Sequence, residues 1–116
     1  MILGATPNPA RYAYTAAEML TQKGHKIVPV GIKKGEVFGE KISTDQEQKH
    51  EDIDTITLYV GPQNQAGWYD FILKQKPKRL IFNPGTENPE LMEMAKKAGV
   101  SIEIACTLVM LSVGVY

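Results

Sequence analysis

The chain has 116 residues, enough for one domain with a core of its own, with no need of a metal or disulfide brace. Thirteen basic side chains balance thirteen acidic ones, so no net field draws the molecule to nucleic acid or to an anionic membrane. One cysteine, Cys106, rules out an internal disulfide framework and fits a reducing, cytoplasmic setting. The apolar start Ile2–Leu3 ends at Gly4, a polar turn follows (Ala-Thr-Pro-Asn-Pro-Ala-Arg), and Ala13, Ala16, Ala17 and Leu20 then recur at helical spacing. That pattern predicts a strand feeding a helix through a tight loop. The free N–H groups and partial positive charge of such a helix start suit an anion, most often a phosphate. Gly4 lets the backbone turn and a ligand approach, while Pro7 and Pro9 stiffen the loop. Thr6 and Asn8 offer side-chain bonds to the free amides, and Arg11 offers a planar guanidinium. The same residues serve a capped turn with no ligand, and on this stretch alone the two readings stand level. Neither the dinucleotide fingerprint nor a P-loop occurs.

Gly24 closes the first helix, and Lys26–Val30 predicts a second strand, with Pro29 near its end for want of an N–H. Gly31–Gly39 is a loop carrying Lys33 and Lys34, where a nicotinamide-dinucleotide site would place an acid. Lysines there favour a phosphate over a free ribose hydroxyl. Glu40–Asp54 is polar and predicts an extended piece followed by a surface turn or brief helix. His50 lies among acids and is expected at the surface. Thr55–Val60 predicts a third strand, Gln63–Lys76 a second helix with Trp68, Phe71 and Ile72 in the core, and Arg79–Phe82 a fourth strand. Asn83–Thr86 repeats the strand-to-helix turn. Asn88 or Thr86 then caps a helix opened by Pro89 and ended by Gly99. Val100–Ala105 is the fifth strand, and the apolar Cys106–Val113 a short helix packed back on the sheet.

This alternation predicts a single domain over 1–116, an α/β Rossmann-like fold with a doubly wound parallel sheet of five strands in three α/β/α layers. The strand order expected is 3-2-1-4-5, which puts the topological switch point between the first and fourth strands and opens both glycine turns onto one crevice. The first strand starts at Met1's neighbour, so a few upstream residues are expected to be missing. No basic leader precedes Gly-Ala-Thr-Pro, and no apolar run spans a bilayer.

With these pieces in order, the chain resembles the small CoA-binding-domain proteins, relatives of the N-terminal domain of succinyl-CoA synthetase α chains. The likeness rests on G-A-T-P-N-P-A-R-Y at 4–12, G-H-K-I-V-P-V at 24–30, Gly39-Glu40-Lys41, the turn at 83–85 and Ala-Gly-Val-Ser-Ile before Cys106. Relatives commonly carry Pro-Val-Asn-Pro-Lys after the second strand, and this chain has Pro29-Val30-Gly31-Ile32-Lys33. The resemblance implies non-covalent binding of coenzyme A or an acyl-CoA. The loop Gly4, Ala5, Thr6, Pro7, Asn8 and Arg11 would take the diphosphate, and Pro29, Val30 and Lys33 would line the adenosine 3′-phosphate end. Tyr59 and Val60 would flank the adenine or ribose, and Asn83, Pro84, Gly85 and Cys106 would lie toward the pantetheine path.

No catalytic set and no metal cluster is legible. Both histidines fall in polar segments, and Cys106 in an apolar run is expected to be buried. The sequence therefore predicts a binding module and not an enzyme, with a homodimer contact available on the apolar run Leu108–Tyr116. Two alternatives stay open: an NADP-type nucleotide binder or small oxidoreductase, and a domain without ligand that serves as an interaction surface.

Overall fold

A computed structural model describes residues 1–116. Five parallel strands form the sheet: β1 (Ile2–Leu3), β2 (Pro29–Val30), β5 (Thr55–Leu58), β6 (Arg79–Phe82) and β7 (Ser101–Ile104). Between β2 and β5 a small antiparallel hairpin, β3 (Glu36–Val37) and β4 (Glu40–Lys41), stands apart from it. Helices α1 (Tyr12–Gln22) and α4 (Thr107–Ser112) cover one face, and α2 (Tyr69–Lys74) and α3 (Pro89–Lys97) the other. The core accordingly divides in two. Leu3, Ile56, Leu58, Leu80 and Phe82 point to α2 and α3, where they meet Phe71, Ile72, Leu91 and Ala95. Ile2 points the other way, to Ala13, Ala17, Leu20 and Leu111. The alanines keep α1 low on the sheet.

The Rossmann-like α/β architecture is the one the sequence predicts, but the strand order is not. The sheet runs β2-β1-β5-β6-β7, which is 2-1-3-4-5 for the five main strands and not 3-2-1-4-5. All four residues of β5 are buried. It pairs Ile2 with Thr57 on one side and Thr57 with Ile81 on the other. At an edge, as first expected, one flank of its backbone would have no sheet partner and its four buried residues only partial cover. The edges go instead to β2, where Pro29 has no N–H to waste, and to β7, whose Ser101 and Ile104 are exposed. Residues 31–54 carry the chain past β1 without a helix.

Local boundaries differ where side chains intervene. The second helix begins only at Tyr69, preceded by tight turns at Pro62–Asn64 and Ala66–Trp68. The buried Gln65 side chain causes this: its amide donates to Val60 and Thr86 carbonyls at 2.8 and 2.7 Å, and its oxygen accepts from Asn88 at 2.8 Å. The chain must bend inward there. Asn88 also caps α3, accepting from the Glu90 amide at 3.1 Å, with Pro89 at the first helical position. No helix forms over 44–47, because Asp45 takes the Glu47 amide in a side-chain turn. His50 is half-buried and not at the open surface. Its ring lies edge-on to Phe71, its amide donates to the buried Gln75, and its Nε2 has no partner. No helix is long and apolar enough to cross a membrane.

Candidate functional site

The switch point of this sheet lies between β1 and β5. The chain leaves β1 for α1 on one face and leaves β5 for α2 on the other, so the two crossovers part at the C-terminal edge, the place where an open α/β sheet forms its ligand crevice. Its position differs from the expected gap between the first and fourth strands, which β5 fills. The loop 4–11 still borders it, together with Tyr59–Gly61 after β5. The turn 83–86 stands one strand further along.

Two of the loop amides are already taken. The amides of Gly4 and Ala5 both donate to the Val30 carbonyl, at 2.8 and 2.9 Å. Further on, Asn8 donates to Thr6 Oγ1 and Ala10 to Asn8 Oδ1. Thr6 and Asn8 therefore shape the loop itself and do not cap α1. The helix start has no side-chain cap and no acid in its first turn, and the amides of Thr6, Tyr12 and Ala13 find no acceptor in the chain. One free donor thus lies in the loop, at Thr6, and two open the helix that follows it, at Tyr12 and Ala13, next to the exposed Arg11. Arg11, Lys33 and Lys34 make no ion pair. Pro7, Asn8 and Lys33 are exposed.

Of the two duties expected of Gly4, a backbone turn and room for a ligand, the structure shows the first. Its φ is +100°, and a Cβ there would lie 2.8 Å from the Tyr59 carbonyl oxygen. The glycine lets the ends of β1 and β5 close on each other.

Pro29 and Val30 are buried in the sheet, so Val30 contributes its carbonyl to the loop and not its side chain to a ligand. Tyr59 and Val60 are half-buried. The Tyr59 hydroxyl is turned inward beside those of Thr57 and Thr107, which bond to each other at 2.7 Å, and it has no partner of good geometry. Burial pushes its pKa up to about 12. The Asn83 side chain is spent inside the protein: Nδ2 donates to Thr57 Oγ1 and the Leu58 carbonyl at 2.7 and 2.9 Å, and Oδ1 accepts the Thr107 amide at 2.8 Å. It ties the ends of β5 and β6 to the start of α4. Pro84 and Gly85 are exposed, the Gly85 amide held by Glu87 at 2.8 Å.

Cys106 is half-buried, not buried as expected. It precedes α4 at the rim, because Thr107 turns inward to Thr57 and Asn83 and leaves the preceding residue outside.

A family model described as a CoA-binding domain matches residues 1–112. The chain belongs to that family. Among solved structures, the crystal structure of an uncharacterized protein is 56% identical over 99% of this chain and 94% of its own, with a TM-score of 0.96. A hypothetical protein from Pyrococcus horikoshii OT3 is 28% identical over 93% of this chain and 77% of its own, with a TM-score of 0.83. A conserved hypothetical protein from Pyrococcus furiosus is 29% identical, with 90% and 89% covered and a TM-score of 0.75. No curated protein matches the chain.

In this CoA-binding domain two cavities, of about 350 and 670 Å³, open at the opposite edge of the sheet. Glu51, Asp52 and Asp54 line both. Cations line them too, Lys49, Lys76 and Lys78 in the smaller and Lys26 with Arg79 in the larger, so the side-chain charge is mixed there, and helix C-termini, which point that way in a parallel α/β layer, offer a phosphate no free amides. The donors that suit one are at the loop 4–11. Gln65, Asn83 and Gly31, which build the rim from behind, were not singled out in the sequence as its supports. Buried amide side chains have no periodic signature, and only the cluster of glycines in 31–39 hinted at close approach.

Proposed function

We propose that this CoA-binding domain holds coenzyme A or an acyl-CoA non-covalently at the C-terminal edge of the sheet, between the loop 4–11 and the end of β5, without catalysing a reaction. The observation that carries this reading is the uncapped start of α1 at the switch point, with the Thr6, Tyr12 and Ala13 amides unpaired, in a chain matched to that family over residues 1–112. The diphosphate accepts from those amides and from Arg11. The unpaired Lys33 faces the extra phosphate of the adenosine. Tyr59 and Val60 flank the adenine or ribose, and the pantetheine arm runs toward Pro84, Gly85 and Cys106. Asn83 supports this path from behind, since its side chain is fully engaged. The setting is a reducing cytoplasm, and the exposed Val109, Val113 and Val115 supply the homodimer contact.

Thermal shift and titration calorimetry with CoA, acetyl-CoA, NAD, NADP and ATP test the reading. Stabilisation of roughly 2.7 kcal/mol is expected with CoA at a hundred times its Kd. A shift with NADP alone refutes it in favour of the oxidoreductase class. No shift with any compound leaves an interaction surface. Arg11→Ala is expected to weaken CoA binding roughly tenfold or more, as for a lost charged hydrogen bond, with melting unchanged, because Arg11 is exposed and unpaired.

A further inference from the structure

We propose that Gly31 is a positioning residue for the anion site: its bare Cα fixes the direction of the Thr6 N–H. This rests on the reading of the crevice given above. Gly31 is buried at the end of β2, and its amide donates to the Ser43 carbonyl at 3.0 Å. Its φ lies outside the left-handed region, so the backbone does not require glycine here. Space does. A Cβ at Gly31 would stand 2.6 Å from the Ala5 carbonyl oxygen and 3.2 Å from the Ala5 nitrogen. Real Cβ atoms do not come so near, and backbone atoms cannot swing aside as the end of a long side chain does.

The atom that fills this space belongs to the site. The Ala5 carbonyl and the Thr6 N–H are two ends of one peptide plane. No peptide in the chain is cis, so the two bonds point in opposite directions. With the Ala5 oxygen laid on Gly31, the Thr6 N–H points away from β2. That amide is one of the three without an acceptor. The preceding plane is fixed as well, because the Ala5 amide donates to the carbonyl of Val30, the residue joined to Gly31. Two consecutive planes of the loop are thus set by the Val30–Gly31 backbone. With the loop placed as it is in this chain, a methyl group at position 31 displaces the Ala5 oxygen, turns its plane and carries the Thr6 N–H off the ligand, although position 31 lies outside the loop 4–11.

The test is Gly31→Ala, read by amide NMR and calorimetry with CoA and with inorganic pyrophosphate. In the parent, pyrophosphate is expected to shift the Thr6, Tyr12 and Ala13 amide protons together. In Gly31→Ala the Thr6 response is expected to vanish while Tyr12 and Ala13 still respond. CoA affinity should fall roughly ten- to a hundredfold, the loss of one hydrogen bond to a charged group. Residual dipolar couplings on the free protein add a readout without ligand: the Thr6 N–H vector should rotate in the variant and the helix vectors should not. An unchanged Thr6 vector, or a Thr6 amide that responds equally in both proteins, overturns the proposal. If Gly31→Ala does not fold, the parent titration decides alone, and a silent Thr6 amide beside responding Tyr12 and Ala13 amides refutes it. A parent that binds neither CoA nor pyrophosphate refutes the CoA reading itself, while the couplings still judge the orientation claim.

Discussion

Replacing Gly4 by alanine separates a structural from a ligand-binding duty at the head of the site. The residue holds φ at +100°, and the added carbon would stand 2.8 Å from the Tyr59 carbonyl oxygen and 2.9 Å from its carbon. An L-residue in such a backbone region costs roughly 1–3 kcal/mol. Forcing a methyl against packed backbone adds roughly 1–3 kcal/mol more. The sum, about 2–6 kcal/mol, is a large share of the roughly 5–15 kcal/mol that keeps a domain folded. The amides of Gly4 and of Tyr59, which donate to Val30 and Leu3, brace the two strand ends that must part. Urea unfolding of the free protein is the assay. At a dependence of about 2 kcal/mol per molar, the middle of the usual range, the midpoint of Gly4→Ala should drop by roughly 1–3 M, and Gly4→Val, with two more carbons, should not fold. A Gly4→Ala midpoint equal to the parent's, with CoA affinity alone reduced, would show that the glycine serves the ligand and that the packing argument is wrong.

Asn83→Ala leaves the Thr107 amide and the Leu58 carbonyl without their partner; a loss of about 3 kcal/mol is expected in denaturant titration, on the scale of one or two buried unpaired groups. Tyr59→Phe removes a buried hydroxyl that makes no good bond, so the melting temperature should stay level or rise, and a fall of several degrees would mean that the hydroxyl is bonded after all. Burial, and then the positive chain terminus, lower the His50 pKa below its ordinary 6.5, while Asp45 acts in the opposite sense. The unfolded chain therefore takes up this proton more readily than the folded one: the stability is fully present above about pH 6.5 and is lost as the pH falls below it toward the folded value. His50→Gln should flatten that part of the stability profile measured between pH 7 and 5, and an identical slope in parent and variant would refute the assignment.

The sequence by itself determined the parallel α/β class, all five main strands, a third helix opened by Pro89 behind a cap at Asn88 or Thr86, and the strand-to-helix turn at 4–11. These features are written locally, as period, capping chemistry and turn residues, and each can be read within a dozen positions. Tertiary structure alone decided that Thr55–Leu58 is a central strand, so that the crevice lies beside β5. Strand order depends on which buried faces meet, and T-I-T-L reads the same at an edge as in the middle until its two neighbours are known. It also decided which donors remain: Val30 accepts the Gly4 and Ala5 amides, and Asn83 is consumed by Thr57, Leu58 and Thr107. A hydrogen bond between residues 25 positions apart leaves no mark in the spacing of either, whereas Gly4 and Gly31 show only that room is needed and not which atom takes it.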